Sequence, residues 1–406
     1  MARLKDFTRS GHPRTLLASF LYFDISFMVW LLMGVLGVSI AKDLDLSAAQ
    51  KGLLAAIPIL GGSLVRIPMG FLVDRIGPKK TGIIAQTLVM VPLAGAWLCA
   101  CSFSTVLTFG FLLGIAGGSF AVALPLASRW YPPQHQGMAM GIAGAGNSGT
   151  VLASLFAPRL AAHFGWHNVF GFALLPVFGA LLVFLFLAKE SPHVRATPKR
   201  IERQRSLWRE PDTAWFSLFY GITFGGFVGL ASFLGIFFHD QYGLSKVMAG
   251  NFTALCVLAG SFCRPIGGYL ADKLGGIRVL SVVFGLAGAF LLGVGFLPPL
   301  QITAPLLLLA VTCLGMGNGA VFQLVPQRFK KEIGAITGIV GAAGGLGGFL
   351  LPTILGFFKQ VGGSYGIGFT LLACSSLGAL ALLRIIQRGW FFSWSAREPA
   401  LMGQAT

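Results

Sequence analysis

The chain is a succession of apolar runs separated by short polar breaks. Twelve of these runs are long enough to cross a bilayer, which takes roughly 20 mostly apolar residues. They lie near 17–41, 49–73, 81–101, 104–127, 138–161, 166–188, 214–238, 247–271, 277–297, 303–326, 334–357 and 365–386, and are numbered here as spans 1 to 12. Little sequence remains between them, so the pattern predicts an all-α membrane protein without a soluble domain. Composition agrees: 55% of the 406 residues are hydrophobic, 11% are charged and the mean hydropathy is +0.79, well outside the range of a soluble domain.

A net charge of +17 would suggest nucleic acid in a soluble protein, but in this chain the placement of the charge matters more than its sum. Of the 30 Lys and Arg, five (Lys42, Lys51, Arg159, Lys246, Lys359) fall on one side of the predicted bilayer, Arg66 and Arg264 fall inside spans, and the remaining 23 fall on the other side. The positive-inside rule places both termini and the 189–213 loop in the cytoplasm, as expected of a multi-pass protein of a bacterial-type inner membrane. Residues 1–41 also have the outline of a cleaved signal peptide, a basic start leading to Ser39-Ile40-Ala41. Their apolar run exceeds the roughly 7–15 residues of an h-region, and its loss would break the symmetry described next, so it is read as span 1.

The six cysteines (Cys99, Cys101, Cys256, Cys263, Cys313, Cys374) fall in or at the ends of spans, which indicates neither a disulfide framework nor a zinc pattern. The six histidines (His12, His135, His163, His167, His193, His239) fall in loops or at helix ends, away from any intramembrane relay. No metal or cofactor is expected. Nor is an enzyme, because the sequence offers no nucleophile–base pair.

The chain is written twice. KESPHVRATPKRIERQRSLWREPDT, 189–213, is the only long polar stretch and separates six spans from six. Arg66, Gly70, Asp74, Arg75 and Gly77 recur 198 residues later as Arg264, Gly268, Asp272, Lys273 and Gly275. Gly137, Gly141 and Gly144 recur 197 residues later as Gly334, Gly338 and Gly341, and Pro125 matches Pro326. The predicted organisation is an N-terminal half (1–188), a cytoplasmic linker (189–213) and a C-terminal half with a short tail (214–406).

Two six-span halves joined by a basic linker resemble the major facilitator superfamily along the whole chain. GFLVDRIGPKK, 70–80, is similar to that superfamily's loop between spans 2 and 3, and GYLADKLGG, 268–276, is its weaker echo. The resemblance implies a transporter whose cargo site lies between the halves near the midplane. Gly70 and Gly268 would permit close helix approach, and Asp74 and Asp272 would meet a helix dipole or an arginine.

Arg66 lies eight residues before Asp74, roughly 12 Å along a helix, and so sits near the midplane. A lone arginine there could snorkel to an interface. Two at equivalent places are costly and mutually repulsive unless an anion lies between them, and of the 13 Asp and Glu only Asp24 falls clearly inside a span. The expected counter-charge is the cargo, a small anion clamped by Arg66 and Arg264, whose guanidinium forks suit a planar oxyanion.

Spans 5 and 11 are dense in glycine, with Gly141 and Gly144 in one and Gly338, Gly341 and Gly344 in the other. Ordinary small-residue packing accounts for most of these, and bending or sliding would use the same residues. Asn147 and Asn318 need polar partners, which a cargo oxygen or a backbone group would supply equally well.

Glycine-rich spans 5 and 11, GNG ahead of a proline in span 10 and an arginine in each of spans 2 and 8 resemble the nitrate/nitrite porter family. That resemblance implies alternating-access transport of nitrate and nitrite, with the anion held between Arg66 and Arg264. It further implies Phe120 of GGSF, Tyr220 and Phe224 of FYGITFGGF, and Asn147 as cargo contacts. The family often has Asn where this chain has Ser119, and a second Asn in span 5 that is missing here, so Ser119 joins the candidates. Tyr220 and Phe224, four residues apart, share one helix face.

An empty clamp of two like charges resists closure, which predicts exchange of one monovalent anion for another. Asp24, in FLYFDISFMVWLL, has two readings, an interfacial residue bonded to a helix end or a proton site for symport. Exchange of small organic anions would suit paired arginines as well. The expected partners are the cargo and the lipid bilayer rather than nucleic acid, and the expected unit is a monomer.

Overall fold

The computed structural model describes residues 7, 10–191, 207, 209–329 and 333–395. Most of the linker and the C-terminal tail lie outside the described residues. Within them the chain is helical, without a strand. Ten helices are long and apolar enough to cross a membrane: spans 2 (Ala48–Ile76), 3 (Pro78–Cys99), 4 (Phe103–Ser128) and 6 (Trp166–Leu187), and all six of the C-terminal half. Those six are spans 7 (Pro211–Tyr242), 8 (Lys246–Leu274), 9 (Gly276–Gly295), 10 (Leu300–Arg328), 11 (Ile333–Gly362) and 12 (Gly366–Ser395). The two other expected crossings, spans 1 and 5, are interrupted, which is why neither forms one long helix.

Span 1 runs as Pro13–Trp30, Leu32–Val35 and Gly37–Asp43, and span 5 as Pro133–Gly144, a 3₁₀ turn at Ala145–Ser148, and Gly149–Phe164. The break in span 5 faces the first, unbroken helix of span 1. A Cβ on Gly146 would meet the Asp24 backbone N–H at 2.9 Å and the Phe20 carbonyl at 3.0 Å, and Gly149 is pressed still harder on the Asp24 carbonyl. Backbone contact this close leaves room only for glycine, as in other membrane helix pairs. Helix starts follow from local chemistry too. Ser47 and Gln50 form a reciprocal capping box at span 2, Ser245 caps span 8, and Gly77 and Gly275 turn the chain at φ +91° and +90°, where a side chain would strain the backbone.

The halves meet tightly at the face away from the linker. A Cβ on Gly52 of span 2 would lie 2.5 Å from the Pro352 carbonyl of span 11, and one on Gly250 of span 8 would lie 2.5 Å from the Ser154 carbonyl of span 5. Polar contacts reinforce the seal: Lys51 pairs with Asp240 at 2.7 Å, the Ala48 N–H donates to Gln360, and Arg159 donates to Asn251. Toward the linker face the halves diverge around a cavity of about 1150 Å³. Its far end is bordered by Asp74, Arg129 and Asp272, and Arg129 is tied to linker residue Ser191.

Candidate functional site

The site is built where spans 2 and 4 of one half meet spans 7, 8, 10 and 11 of the other. Span 4 is jointed at Gly118, between helices Phe103–Gly117 and Ser119–Ser128. The Ala121 N–H bonds back to the Gly118 carbonyl, so the Gly117 carbonyl loses its usual partner four residues on. Arg66 takes it. The Arg66 Nε donates to the Gly117 oxygen at 3.0 Å, and Nη1 donates across the halves to the Gly341 carbonyl at 2.5 Å. The side chain is 1% exposed, and Nη2 has no partner among the described residues. Three ring systems surround the guanidinium: its carbon lies 4.9 Å from the Phe224 centroid, 5.1 Å from Trp30 and 5.8 Å from Phe120.

Span 8 carries Arg264 at the point where glycines bring its backbone against span 10. Gly267 abuts Met316, and a Cβ on Gly319 would meet the Gly268 N–H at 2.6 Å. Arg264 is 8% exposed; its Nη2 reaches the Tyr220 hydroxyl at 3.5 Å and its Nη1 has no partner. Its guanidinium carbon lies 5.6 Å from Phe120 and 6.0 Å from Phe322. Both arginines therefore converge on one ring, that of Phe120. Tyr220 stacks on Phe224 (4.9 Å, 8°) and meets Phe322 edge-on at 4.8 Å, so the rings form one continuous wall.

Among the described residues neither arginine enters an ion pair. Their acceptors are two carbonyls and a phenol, all neutral, while the carboxylates bordering the cavity, Asp74 and Asp272, stand at its mouth. Buried guanidinium without a counter-ion is costly, and the unused N–H groups of Arg66 and Arg264 are those an oxyanion would accept from. No group of three or more His, Cys, Asp or Glu among the described residues could hold a metal ion.

The structure brings together five of the residues singled out in the sequence: Arg66, Phe120 and Arg264 on the cavity wall, with Tyr220 and Phe224 directly behind the guanidinia. Ser119, Asn147 and Asn318 are also fully buried, and among the described residues neither the Ser119 hydroxyl nor the two amide groups have a partner. None of the three lines the cavity, and unlike Tyr220 and Phe224 none makes a hydrogen bond or ring contact with either guanidinium among the described residues. Gly341 acts through its carbonyl on Arg66, and Gly344 is filled against Tyr220 and Phe224, where a Cβ would come within 2.5 Å of the tyrosine ring.

Close packing does not explain the other glycines. A Cβ on Gly70, Gly141, Gly144 or Gly338 would meet nothing within 4 Å, and at Gly268 it would meet only ordinary contact at 3.8 Å. Gly70, Gly141, Gly268 and Gly338 border the cavity instead, because the halves are apart on this face. Asp74 pairs with Arg129 at 3.2 Å, one of the two kinds of partner considered for it, while Asp272 and Arg75 are exposed.

Asp24 is buried inside the helix bundle. It is 7% exposed and accepts a 2.8 Å hydrogen bond from Ser148, the residue that opens the second helix of broken span 5. The bond to a helix end is therefore present. Trp30 and Phe322 escaped the sequence reading although both touch the arginines. The signal for Phe322 was weak: the 201-residue repeat that pairs Pro125 with Pro326 places it one residue beyond the counterpart of Phe120. For Trp30 the signal was an indole N–H in an apolar span, which needs an acceptor and finds the Pro58 carbonyl at 2.7 Å.

Comparison with known proteins agrees with this architecture. The Major Facilitator Superfamily model matches residues 18–352. The nitrite extrusion protein of Bacillus subtilis (strain 168) is 38% identical over 88% of this chain and 90% of its own. A probable nitrate/nitrite transporter of Mycobacterium tuberculosis (strain H37Rv) is 36% identical over 87% of this chain and 91% of its own. Among solved structures, the E. coli xylose transporter in a partially occluded inward-open conformation superposes with a TM-score of 0.74 at 14% identity, over 91% of this chain and 96% of its own. The chain is a multi-pass membrane transporter and belongs to the nitrate/nitrite porter family of the major facilitator superfamily.

Proposed function

We propose that the protein carries nitrate and nitrite by alternating access, most readily by exchanging one for the other, with the anion held between Arg66 and Arg264. The observation that carries this reading is the pair of buried guanidinia converging on Phe120 with unused N–H groups and, among the described residues, no carboxylate beside them. An anion accepting from the free Nη2 of Arg66 and Nη1 of Arg264 neutralises their repulsion and draws span 8 toward span 2. That movement narrows the cavity on the linker face and loosens the glycine seal on the other. An unloaded site keeps two like charges apart, so the empty carrier reorients slowly. The basic linker assigns the open face to the cytoplasm, in a bacterial-type inner membrane, and one chain contains the whole site.

Counterflow of labelled nitrate in liposomes tests this reading. Uptake should rise several-fold when nitrite or nitrate is loaded inside. Equal uptake into empty and loaded vesicles would sink exchange, and stronger competition by formate or acetate than by nitrite would move the cargo to small organic anions.

A second reading, proton-coupled symport, is favoured by one observation: Asp24 is buried against the joint of span 5 and bonded to Ser148. If an imposed pH gradient drives uptake and Asp24→Asn abolishes that component while sparing counterflow, symport replaces exchange.

A further inference from the structure

We propose that Trp30 is a positioning residue that holds the Arg66 guanidinium in place for the anion, an inference that rests on the clamp reading above. Trp30 is fully buried and ends the first helix of span 1, immediately before the break at Leu31. Its indole occupies a slot cut by two glycines from different spans. A Cβ on Gly62 of span 2 would lie 2.7 Å from the ring, and Gly117 of span 4 is pressed on the same ring from its own side. The indole N–H is anchored on the Pro58 carbonyl at 2.7 Å, and Phe27 meets the ring edge-on at 4.9 Å. A side chain packed by two glycines and Phe27 and bonded at its N–H has little freedom to turn.

The face of that fixed ring is what Arg66 rests on, with 5.1 Å from guanidinium carbon to centroid. Gly117, which walls one side of the slot, also supplies the carbonyl that accepts from Arg66 Nε. Slot and acceptor are one residue, so displacing the indole disturbs the guanidinium twice, through the lost cation–π contact and through the shifted carbonyl. Indole is the strongest cation–π partner among side chains, and the contact is stronger still when desolvated. Trp30 touches Arg66 and is absent from the cavity wall, so its effect on the anion passes through the arginine.

The test is a double-mutant cycle on the full chain in detergent or nanodiscs, with Trp30→Phe, Trp30→Leu, Arg66→Lys and the combined variants. Nitrate binding is measured by calorimetry, and exchange by counterflow. Trp30→Leu should raise the nitrate Kd and KM roughly tenfold, as expected for a desolvated cation–π contact, with maximal exchange within about twofold. Trp30→Phe, which keeps an aromatic face, should recover most of that loss. On the Arg66→Lys background Trp30→Leu should add less than about twofold, because residues acting as one unit are not additive.

Additive effects, equal loss in the Phe and Leu variants, or a fall in maximal rate at unchanged KM would overturn the proposal. Should Trp30→Leu fail to fold, Trp30→Met, apolar and without an aromatic face, takes its place in the cycle with the same expected outcomes. The melting temperature of the anion-free protein is followed through the same cycle and should show the same coupling. If wild type binds neither nitrate nor nitrite the clamp reading falls, whereas additive melting shifts in the anion-free protein tell against Trp30 itself.

Discussion

The two halves share a sequence pattern but not a construction. In the N-terminal half spans 1, 4 and 5 are jointed, at Leu31 and Leu36, at Gly118, and at Ala145–Ser148; their counterparts 7, 10 and 11 run unbroken for 32, 29 and 30 residues. Glycine content is not the cause, since span 11 holds the denser run, GAAGGLGG, and stays helical. The span 5 joint lies where Gly146 and Gly149 meet the backbone of span 1 from Phe20 to Met28. The arginines differ in the same way. Arg66 is tied by two carbonyls and backed by three aromatic side chains, while Arg264 has one long bond to Tyr220 and two rings. At the mouth, Asp74 holds Arg129, whereas Arg328 of the other half turns to Asp212 and Glu210 at the start of span 7. A repeated sequence thus builds one fixed jaw and one freer jaw.

That contrast predicts unequal arginines. Arg66→Lys removes a planar fork that two carbonyls hold in place, and should lower nitrate transport by about a hundredfold or more. Arg264→Lys gives up a weak phenol contact and should cost about tenfold. Counterflow KM values for the two variants decide it; equal losses would mean that the jaws contribute alike.

The repeat also pairs Asn147 with Gly344, 197 residues apart, and Gly144 with Gly341. Gly344→Ala should cost about 2 kcal/mol by overpacking the Tyr220–Phe224 stack, whereas Gly144→Ala enters open space on a helical residue and should be neutral or stabilising by up to about 1 kcal/mol. Melting in detergent separates the two, and a larger loss at Gly144 would contradict the packing described for span 11. Asp24 has Ile222 as its repeat counterpart, so only the first half has a buried acid there. Asp24→Ala strands the Ser148 hydroxyl and should cost about 1–3 kcal/mol, while Asp24→Asn keeps an acceptor and should leave counterflow within about threefold. Loss of counterflow in the Asn variant would give the carboxylate a role in exchange itself.

The spans, the repeat and the arginine pair were legible because each is a linear property: apolar run length, a fixed offset, a charge out of place. Phe120, Tyr220 and Phe224 were reached only through family resemblance, since 36 phenylalanines make any one of them uninformative. What stayed hidden depends on contacts between spans. Nothing in the order of residues says that Trp30 fills a slot between Gly62 and Gly117, that a joint at Gly118 frees the Gly117 carbonyl, or that Gly70 and Gly141 border open space. Close-approach and open-space glycines look identical in a sequence, because what distinguishes them is the distance to another helix.

The smallest expected effect lies at the sealed face, where the halves are most alike in how they hold each other. Lys51 of span 2 pairs with Asp240 of span 7, and Asp240 also accepts from the Tyr365 hydroxyl at 3.1 Å. The two side chains are 21% and 15% exposed, so water still screens the pair and the charge pair alone is worth no more than about 1 kcal/mol. The glycine contacts beside it, Gly52 on Pro352 and Gly356 on Ala48, are backbone-to-backbone and cannot be screened. Lys51→Gln should therefore shift the balance toward the form open on that face by less than about fivefold, read as faster labelling of a cysteine placed at Ser39. Gly52→Val inserts a side chain where a Cβ alone would sit 2.5 Å from a carbonyl oxygen, and should hold the face open and slow exchange far more. If the lysine substitution opened the face as completely as the valine, the seal would be electrostatic, and the salt dependence of labelling would then follow ionic strength closely.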